Sequence, residues 1–430
     1  FTIRRLFVYI LLTMSKFNLR LVCIYVVIIL NLHLIQYNIS INDLCVYYHF
    51  IITNSKNTRG VNMSIDKTKI RDELLPDIRS YADNTPLADE NTLDCSLGIN
   101  PYGFPDVVVD IVHNFDVNRL YQYPHSKEAQ EAVVKYWQDY AFIEPENVVM
   151  TDGSVSALNL LVNVFAKPDA EAVMFMPTFT DMVEYSRIMG VKVHGIAMSD
   201  ENNFKEDVDR LVAAIDSNTS FVYIDNPNNP TGQFLSNAEL ERIVSKCEEL
   251  KVYAIIDEAY ADFIPREESA VMLGPKYNHM ISVRTFSKGF GLAGARAGYI
   301  ITNKELVKYI KKVSNLYMMN EMSRAITAAI LNYDVQPVEH GTDFTIIKGA
   351  LRDACGSKII MAETDDRVPI CLLRHIDEGV NLQKLLMKEN ILTCSGSEFE
   401  PLGKNCVRLR VPTLKDAGRL IKAIRNIVSA

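Results

Sequence analysis

The chain has 430 residues, 48% of them hydrophobic and 23% charged, which leaves room for two domains and a sizeable core of ordinary globular texture. A net charge of −8 supplies no basic field for nucleic acid, so that class of partner is excluded. Cys95, Cys247, Cys355, Cys371, Cys394 and Cys406 are scattered without a Cys-x-x-Cys pair, and there is no His-Glu-x-x-His helix, so no metal site is expected. Reduced thiols in a cytoplasm fit better than a disulfide framework.

Residues 1–62 differ from the rest. They hold no Ala, Glu or Pro and a single Gly, Gly60, and they are crowded with Ile, Leu, Tyr, Asn and Phe. The charges are Arg4, Arg5, Lys16, Arg20, Lys56 and Arg59 against Asp43. The expectation is AT-rich upstream sequence translated in error, with Met63 as the start. A membrane anchor with Arg4, Arg5 and Arg20 on the cytoplasmic side is the main alternative, and a signal segment the other. The uninterrupted apolar run Leu21–Leu30 gives way to Asn31, His33 and Gln36, short of the roughly 20 residues a spanning helix needs.

From Ser64 onward, strand-like and helix-like segments alternate. Val148–Met150 reads as a strand, then Gly153-Ser154 opens a helix to Phe165. Ala172–Met176 and Lys192–Ala197 read as strands around a helix over Phe179–Met189. Glu206–Ile215 reads as a polar, surface-facing helix. The strand Phe221–Asp225 ends in a turn cluster, and Asn237–Leu250 is a helix opened by a Ser236/Asn237 cap and Glu239. Tyr253–Asp257 and Ile281–Thr285 are β-branched apolar runs of the buried-strand type. Alternation of this kind predicts an α/β fold, a mostly parallel sheet with helices on both faces. After Lys304 helices dominate, with short strands at Arg367–Leu373 and Val407–Val411. The expected divisions are 63–110 as an arm and part of a smaller α+β domain, 111–315 as the large domain and 316–430 as the remainder of the smaller one.

Three strings carry chemistry. Asp225-Asn226-Pro227-Asn228-Asn229-Pro230-Thr231-Gly232 follows a strand, where an open α/β sheet binds ligands. Ile255-Ile256-Asp257-Glu258-Ala259-Tyr260 puts an acid at a strand end, three positions before a tyrosine. Arg284-Thr285-Phe286-Ser287-Lys288-Gly289 runs on through Gly291 and Gly294 to Arg296. A lysine beside a hydroxyl in a Gly-rich stretch, with an arginine eight residues on, can serve an imine and a phosphate together. Gly289–Gly294 also matches G-x-G-x-x-G, but a strand-like Ala297–Thr302 follows and Ser314 stands where the dinucleotide pattern needs an acid. These glycines are read as letting backbone pass close to a phosphate.

In this order and at these separations, the three strings resemble the fold type I aminotransferases that use pyridoxal 5′-phosphate, over most of the chain from about Leu93. Within that group the chain looks most like the histidinol-phosphate aminotransferases and the related threonine-phosphate decarboxylases. The resemblance implies that Lys288 carries the cofactor and acts as general acid/base, that Asp257 pairs with the ring nitrogen, and that Tyr260 and Asn229 bond the phenolic oxygen. It implies a phosphate cup of Gly153, Ser154 and Val155 with Thr285, Ser287 and Arg296, and stacking by Phe179. Tyr123, in Tyr121-Gln122-Tyr123-Pro124, would reach the neighbouring subunit's cofactor, which implies a homodimer with shared sites. Arg408, in Cys406-Val407-Arg408-Leu409-Arg410, would grip the substrate carboxylate, with Asn100 and Tyr102 nearby. Cis bonds are expected before Pro177 and Pro230.

The substrate end departs from the relatives. Ile99-Asn100-Pro101-Tyr102-Gly103 replaces an Asn-Glu-Asn-Pro string. Cys394 stands where an arginine is common, Arg410 and Pro412 replace Thr and Gly, and Met318-Met319-Asn320-Glu321 replaces a Pro-Tyr-Asn segment. These changes lie where substrate side chains are expected to be read, so the substrate does not follow from the resemblance. The expected function is amino transfer between an amino acid or amino-alcohol phosphate and a 2-oxo acid. A decarboxylase on the same scaffold is the alternative. An aminotransferase-like regulator would need a helix-turn-helix module that residues 1–62 do not supply. Protein beginning at Met63 is expected to fold, dimerise and keep full activity; loss of folding on that truncation, seen by circular dichroism, would reverse the reading of the first 62 residues.

Overall fold

The computed structural model describes residues 68, 70–74, 89–333, 335 and 337–430, so the expectations for residues 1–62 lie outside the described residues. Residues 70–430 form one compact unit. Among the described residues no helix is long and apolar enough to cross a membrane.

The strands in chain order are β1 (Leu93–Asp94), β2 (Val148–Thr151), β3 (Glu171–Met176), β4 (Lys192–Ala197), β5 (Thr219–Asp225), β6 (Tyr253–Asp257), β7 (Met280–Thr285), β8 (Gly298–Thr302), β9 (Ile359–Met361), β10 (Ile370–His375), β11 (Ile391–Leu392), β12 (Cys394–Ser395) and β13 (Cys406–Arg410). Seven of them form one sheet in the order β2-β8-β7-β6-β5-β3-β4. Only β8 runs against its neighbours, β7 and β2. The carboxyl ends of β2, β3, β5, β6 and β7 therefore lie along one edge, and the loops leaving them converge there.

Apart from the edge strand β4, both faces of this sheet are buried, which explains why β5–β8 read as near-continuous apolar runs. Along β3, Ala172, Met174 and Met176 face one core with the helix α1 (Ser154–Phe165) and α2 (Thr180–Ile188), while Val173 and Phe175 face the other with α3 (Asn237–Leu250). Helix α3 opens as predicted, Ser236 accepting from the Glu239 N–H and Glu239 reaching back to the Ser236 N–H. The segment read as a polar surface helix differs: it is helical over Val208–Ala214, Val208 and Leu211 are buried, and Glu206 is itself only 5% exposed. The outer face of β3 and β5 must be covered, and burial there outweighs the polarity of the segment.

A four-stranded antiparallel sheet follows in the order β12-β13-β10-β9. Helices α5 (Gly341–Cys355) and α6 (Leu414–Ser429) pack into the same core, with α4 (Glu321–Asn332) lying elsewhere against Ala129–Trp137. β1 joins β11 in parallel, so residues near Leu93 belong structurally with the C-terminal sheet. Strand β10 starts at Ile370, later than expected, because Asp365 is tied to Arg367 in the preceding turn.

Beneath the loop that follows β7 lies a buried ion cluster. Arg284 bridges Glu258 at 3.3 Å and Asp262 at 2.6 Å, all three side chains being 4% exposed or less. The Arg284 guanidinium also lies 5.3 Å over the Trp137 ring. Arg284→Ala would leave two buried carboxylates without a cation and should cost about 3–5 kcal/mol in denaturant unfolding; a loss of a few tenths would contradict this account.

Candidate active site

The strings singled out in sequence meet at the carboxyl edge of the seven-stranded sheet. Asp225 and Asp257 are directly paired in the register of β5 and β6. Both are buried, at 4% and 3% exposure. The Tyr223 hydroxyl donates to Asp257 Oδ2 at 3.0 Å and the Ala259 N–H to Oδ1 at 3.1 Å. Burial, and then the charge of Asp225, pushes the Asp257 carboxyl up to about 7, while Tyr223, Ala259 and Lys288 pull the other way. Burial likewise raises Asp225 to about 6 against the hydrogen bonds it accepts.

Lys288 follows β7, and its Nζ lies 5.5 Å from the centre of the Tyr260 ring. Tyr260 is 2% exposed, and its buried hydroxyl has no hydrogen-bond partner among the described residues. Gly98 makes room for it, since a Cβ there would sit 1.8 Å from the Tyr260 oxygen. Asn229 accepts from Arg408 Nη1 at 3.2 Å, and Arg408 Nη2 also donates to the Ser96 carbonyl. Arg408 is 1% exposed and pairs across β13 with Leu372 and Cys394. Lys288, Tyr260, Asn229, Asp257 and Arg408 thus come together from β5, β6, β7 and the second sheet.

The start of α1 forms one side of the site. Gly153 is its N-cap at φ 90°, and Ser154 and Val155 begin the first turn, where backbone N–H groups have no helical acceptor. A Cβ on Gly153 would meet Arg296 Nη2 at 2.8 Å, so glycine is needed both for its backbone and for the arginine beside it. Arg296 is held by the carbonyls of Ala293 at 3.0 Å and Asp152 at 3.2 Å. Thr285 donates to Ser287 Oγ at 2.9 Å, and the pair is buried at the root of the Lys288 loop. Phe179, half-buried, caps α2.

The remaining candidate residues make contacts within the protein. Asn100 is buried and donates to the Gly289 carbonyl at 2.7 Å, so it braces the Lys288 loop. Tyr102 stacks on His340 at 4.3 Å and gives its hydroxyl to Asp343, engaging α5. Tyr123 is 69% exposed and stacks on Tyr317 at 4.4 Å. In the segment Met318–Glu321, both methionines are buried and Glu321 accepts from the His125 N–H at 2.9 Å and the Ser126 N–H at 3.1 Å. That segment fastens the Tyr123 loop. A Cβ on Gly289 would meet Asp262 at 2.3 Å and one on Gly291 the Gly103 carbonyl at 2.1 Å, so packing within the protein requires both glycines. A cis bond precedes Pro177 as expected, but the second in this region precedes Pro227, not Pro230. The turn containing Pro230 is closed by hydrogen bonds from the Gly232 N–H to the Asn228 carbonyl and from Asn229 to Asp225, and the chain reverses before it.

Tyr223, Asp225, Thr178 and Gly98 were not singled out for roles in the sequence. The signal for two of them was there: Tyr223 and Asp225 are two apart on one strand, hence on one face, and that face carries the site.

Raised carboxyl groups make a prediction for the cofactor-free protein. A native pKa above the unfolded value contributes stability that is complete below about 4 and is lost as pH rises through about 7 for Asp257. Asp257→Asn should therefore flatten the fall in unfolding free energy between pH 5 and pH 8, measured by denaturant titration. An unchanged slope would place the titration elsewhere.

The comparisons with known proteins agree with this geometry. The family model for aminotransferase class I and II matches residues 93–424. The histidinol-phosphate aminotransferase of Methanocaldococcus jannaschii is 25% identical over 343 residues, covering 77% of this chain and 87% of the relative. The crystal structure of the histidinol-phosphate aminotransferase from Clostridium acetobutylicum superposes with TM-score 0.69 at 22% identity, covering 78% of this chain and 99% of that one. The L-threonine-O-3-phosphate decarboxylase of Porphyromonas gingivalis shares the fold at TM-score 0.67 and 20% identity, covering 79% and 100%. The chain belongs to the class I and II aminotransferases, enzymes that transfer amino groups with pyridoxal 5′-phosphate.

Proposed function

We propose that the enzyme transfers the amino group of an α-amino acid or an amino-alcohol phosphate to a 2-oxo acid, in the manner of the histidinol-phosphate aminotransferases it resembles, with Lys288 as the catalytic lysine. The observation that carries this reading is the meeting of Lys288 Nζ, the Tyr260 ring and the Asp225–Asp257 pair at one sheet edge.

The residues fit the cofactor chemically. The buried, unpartnered Tyr260 hydroxyl suits a phenolic oxygen, with Asn229 beside it. Asp257 suits a protonated ring nitrogen, and Phe179 a ring face. The first turn of α1 with Gly153, Ser154 and Val155, together with Arg296, Ser287 and Thr285, suits a phosphate dianion. When bound, pyridoxal phosphate supplies a conjugated cationic ring that stabilises negative charge at the substrate Cα.

The protein's part is attachment, orientation and proton movement. Lys288 would supply the amine that holds the cofactor and would take the proton leaving the substrate Cα. Asp257, ionised against the ring nitrogen, keeps that nitrogen protonated. Arg408 binds the substrate carboxylate through a guanidinium already steered by Asn229 and the Ser96 carbonyl. By holding the carboxylate, Arg408 would fix the direction of the substrate Cα–H bond, which would favour proton removal over loss of carbon dioxide. Asn100 supports the Lys288 loop.

Tyr123 contributes from the other subunit of a homodimer. Tyr121, Tyr123, Leu316 and Tyr317 are exposed by 90%, 69%, 85% and 46%, an aromatic and apolar cluster suited to a partner copy. The two-domain division at residues 111–315 and 316–430 and a cytoplasmic setting complete this reading.

Borohydride reduction of the cofactor-loaded protein should fix the label on Lys288 by mass spectrometry, and Lys288→Ala should lower turnover by at least about 10²–10⁴-fold. An amino donor should leave the cofactor in its aminated form without carbon dioxide release, and a 2-oxo acid should restore it. Stoichiometric carbon dioxide would rule for the decarboxylase instead.

A further inference from the structure

Asp225 ends β5 and is 4% exposed, yet four donors converge on its two oxygens. Oδ1 accepts from Thr178 Oγ1 at 2.7 Å and Asn228 Nδ2 at 2.9 Å. Oδ2 accepts from the Phe179 N–H at 3.2 Å and the Asn229 N–H at 2.8 Å. Thr178 and Phe179 belong to the loop after β3, and Asn228 and Asn229 to the loop after β5 itself. One side chain thus ties together two loops from neighbouring strands.

A turn cap would need only the local pair of these bonds. The distant pair sets the spacing between Phe179 and Asn229, the groups assigned above to the face and the phenolic edge of the cofactor ring. An ionised carboxylate is the acceptor-only side chain that can take four donors at once. An asparagine at this position has one oxygen, and its NH2 would confront donors on one side or the other. Asp225 also stands directly across from Asp257 in the β5–β6 register.

We propose that Asp225 is a positioning residue for the cofactor: its carboxylate sets the distance between Phe179 and Asn229, and its charge, across from Asp257, favours the protonated ring. This rests on the cofactor assignments of the preceding section. The other titratable groups facing the pair are Tyr223 from the same strand, Glu206, Tyr260 and Lys288, with Asp181 acting on Tyr223. Glu206 is buried, and burial holds it well above the usual carboxylate range.

The test compares the wild type, Asp225→Asn and Thr178→Val for pyridoxal phosphate affinity at equilibrium and for the pH at which the bound cofactor's absorbance titrates. Asp225→Asn should weaken binding by about 10-fold or more, because it removes charged hydrogen bonds to both loops. It should also move the titration down by about half a pH unit, since a negative charge beside the protonated ring is gone. Thr178→Val keeps the charge, so it should weaken binding by about 3-fold and leave the titration in place. A role confined to folding would lower the melting temperature of Asp225→Asn while affinity and titration stayed at wild-type values, and that result would overturn the proposal. Should Asp225→Asn fail to fold, Thr178→Val and Asn228→Ser carry the test through affinity, and wild-type binding by both would overturn it. Wild-type protein that takes no cofactor at Lys288 would instead defeat the functional reading.

Discussion

The site depends on one constraint: parallel strands end together. β3, β5, β6 and β7 lie side by side in the sheet, and β2 points the same way through the antiparallel β8. The loops that leave them therefore share one edge. Residues more than a hundred positions apart, from Gly153 to Lys288, are delivered there by backbone pairing alone. Apart from the edge strand β4 the sheet is buried on both faces, so its strands cannot slip without moving apolar side chains to the wrong core. The geometry of the site is as rigid as the packing beneath it.

That rigidity is used to hold charge where it is costly. Asp225 and Asp257 face each other across two strands, and burial raises both. Each is kept by donors fixed on the same framework, Tyr223 and Ala259 for one and the two loops for the other. The ion cluster of Arg284, Glu258 and Asp262 lies just below the Lys288 loop, with Asp262 packed against Gly289. Buried pairs of this kind add little net stability but penalise alternative arrangements heavily. Here they underlie the loop that presents Lys288.

The second sheet brings the substrate end. Arg408 reaches from β13 to Asn229 and Ser96, so the group that would grip a carboxylate is bonded to a group that would touch the cofactor. Cys394 pairs with Arg408 in the sheet and is buried, and burial raises its thiol. A small side chain thus stands beside Arg408 in the sheet, and Arg410 turns to the Asp94 carbonyl. Glu321 serves the Tyr123 loop through the His125 and Ser126 N–H groups.

By itself the sequence determined the fold class, and it singled out the residues that meet at the sheet edge. Buried parallel strands are written as continuous apolar runs, and the motifs after them need particular residue types at fixed offsets: an acid at Asp257, a tyrosine three on at Tyr260, a lysine after a hydroxyl at Lys288. Such local signals survive without knowledge of what lies opposite. Only the tertiary structure decided the rest, because it depends on pairs distant in the chain. That Asp225 faces Asp257 is a matter of register between strands. That Gly98 must leave space for Tyr260, that Gly289 must clear Asp262 and that Glu206 is buried under the sheet are matters of packing. Tyr102 turns to His340 and Asp343 because α5 lies beside it, and no spacing along the chain foretells that contact.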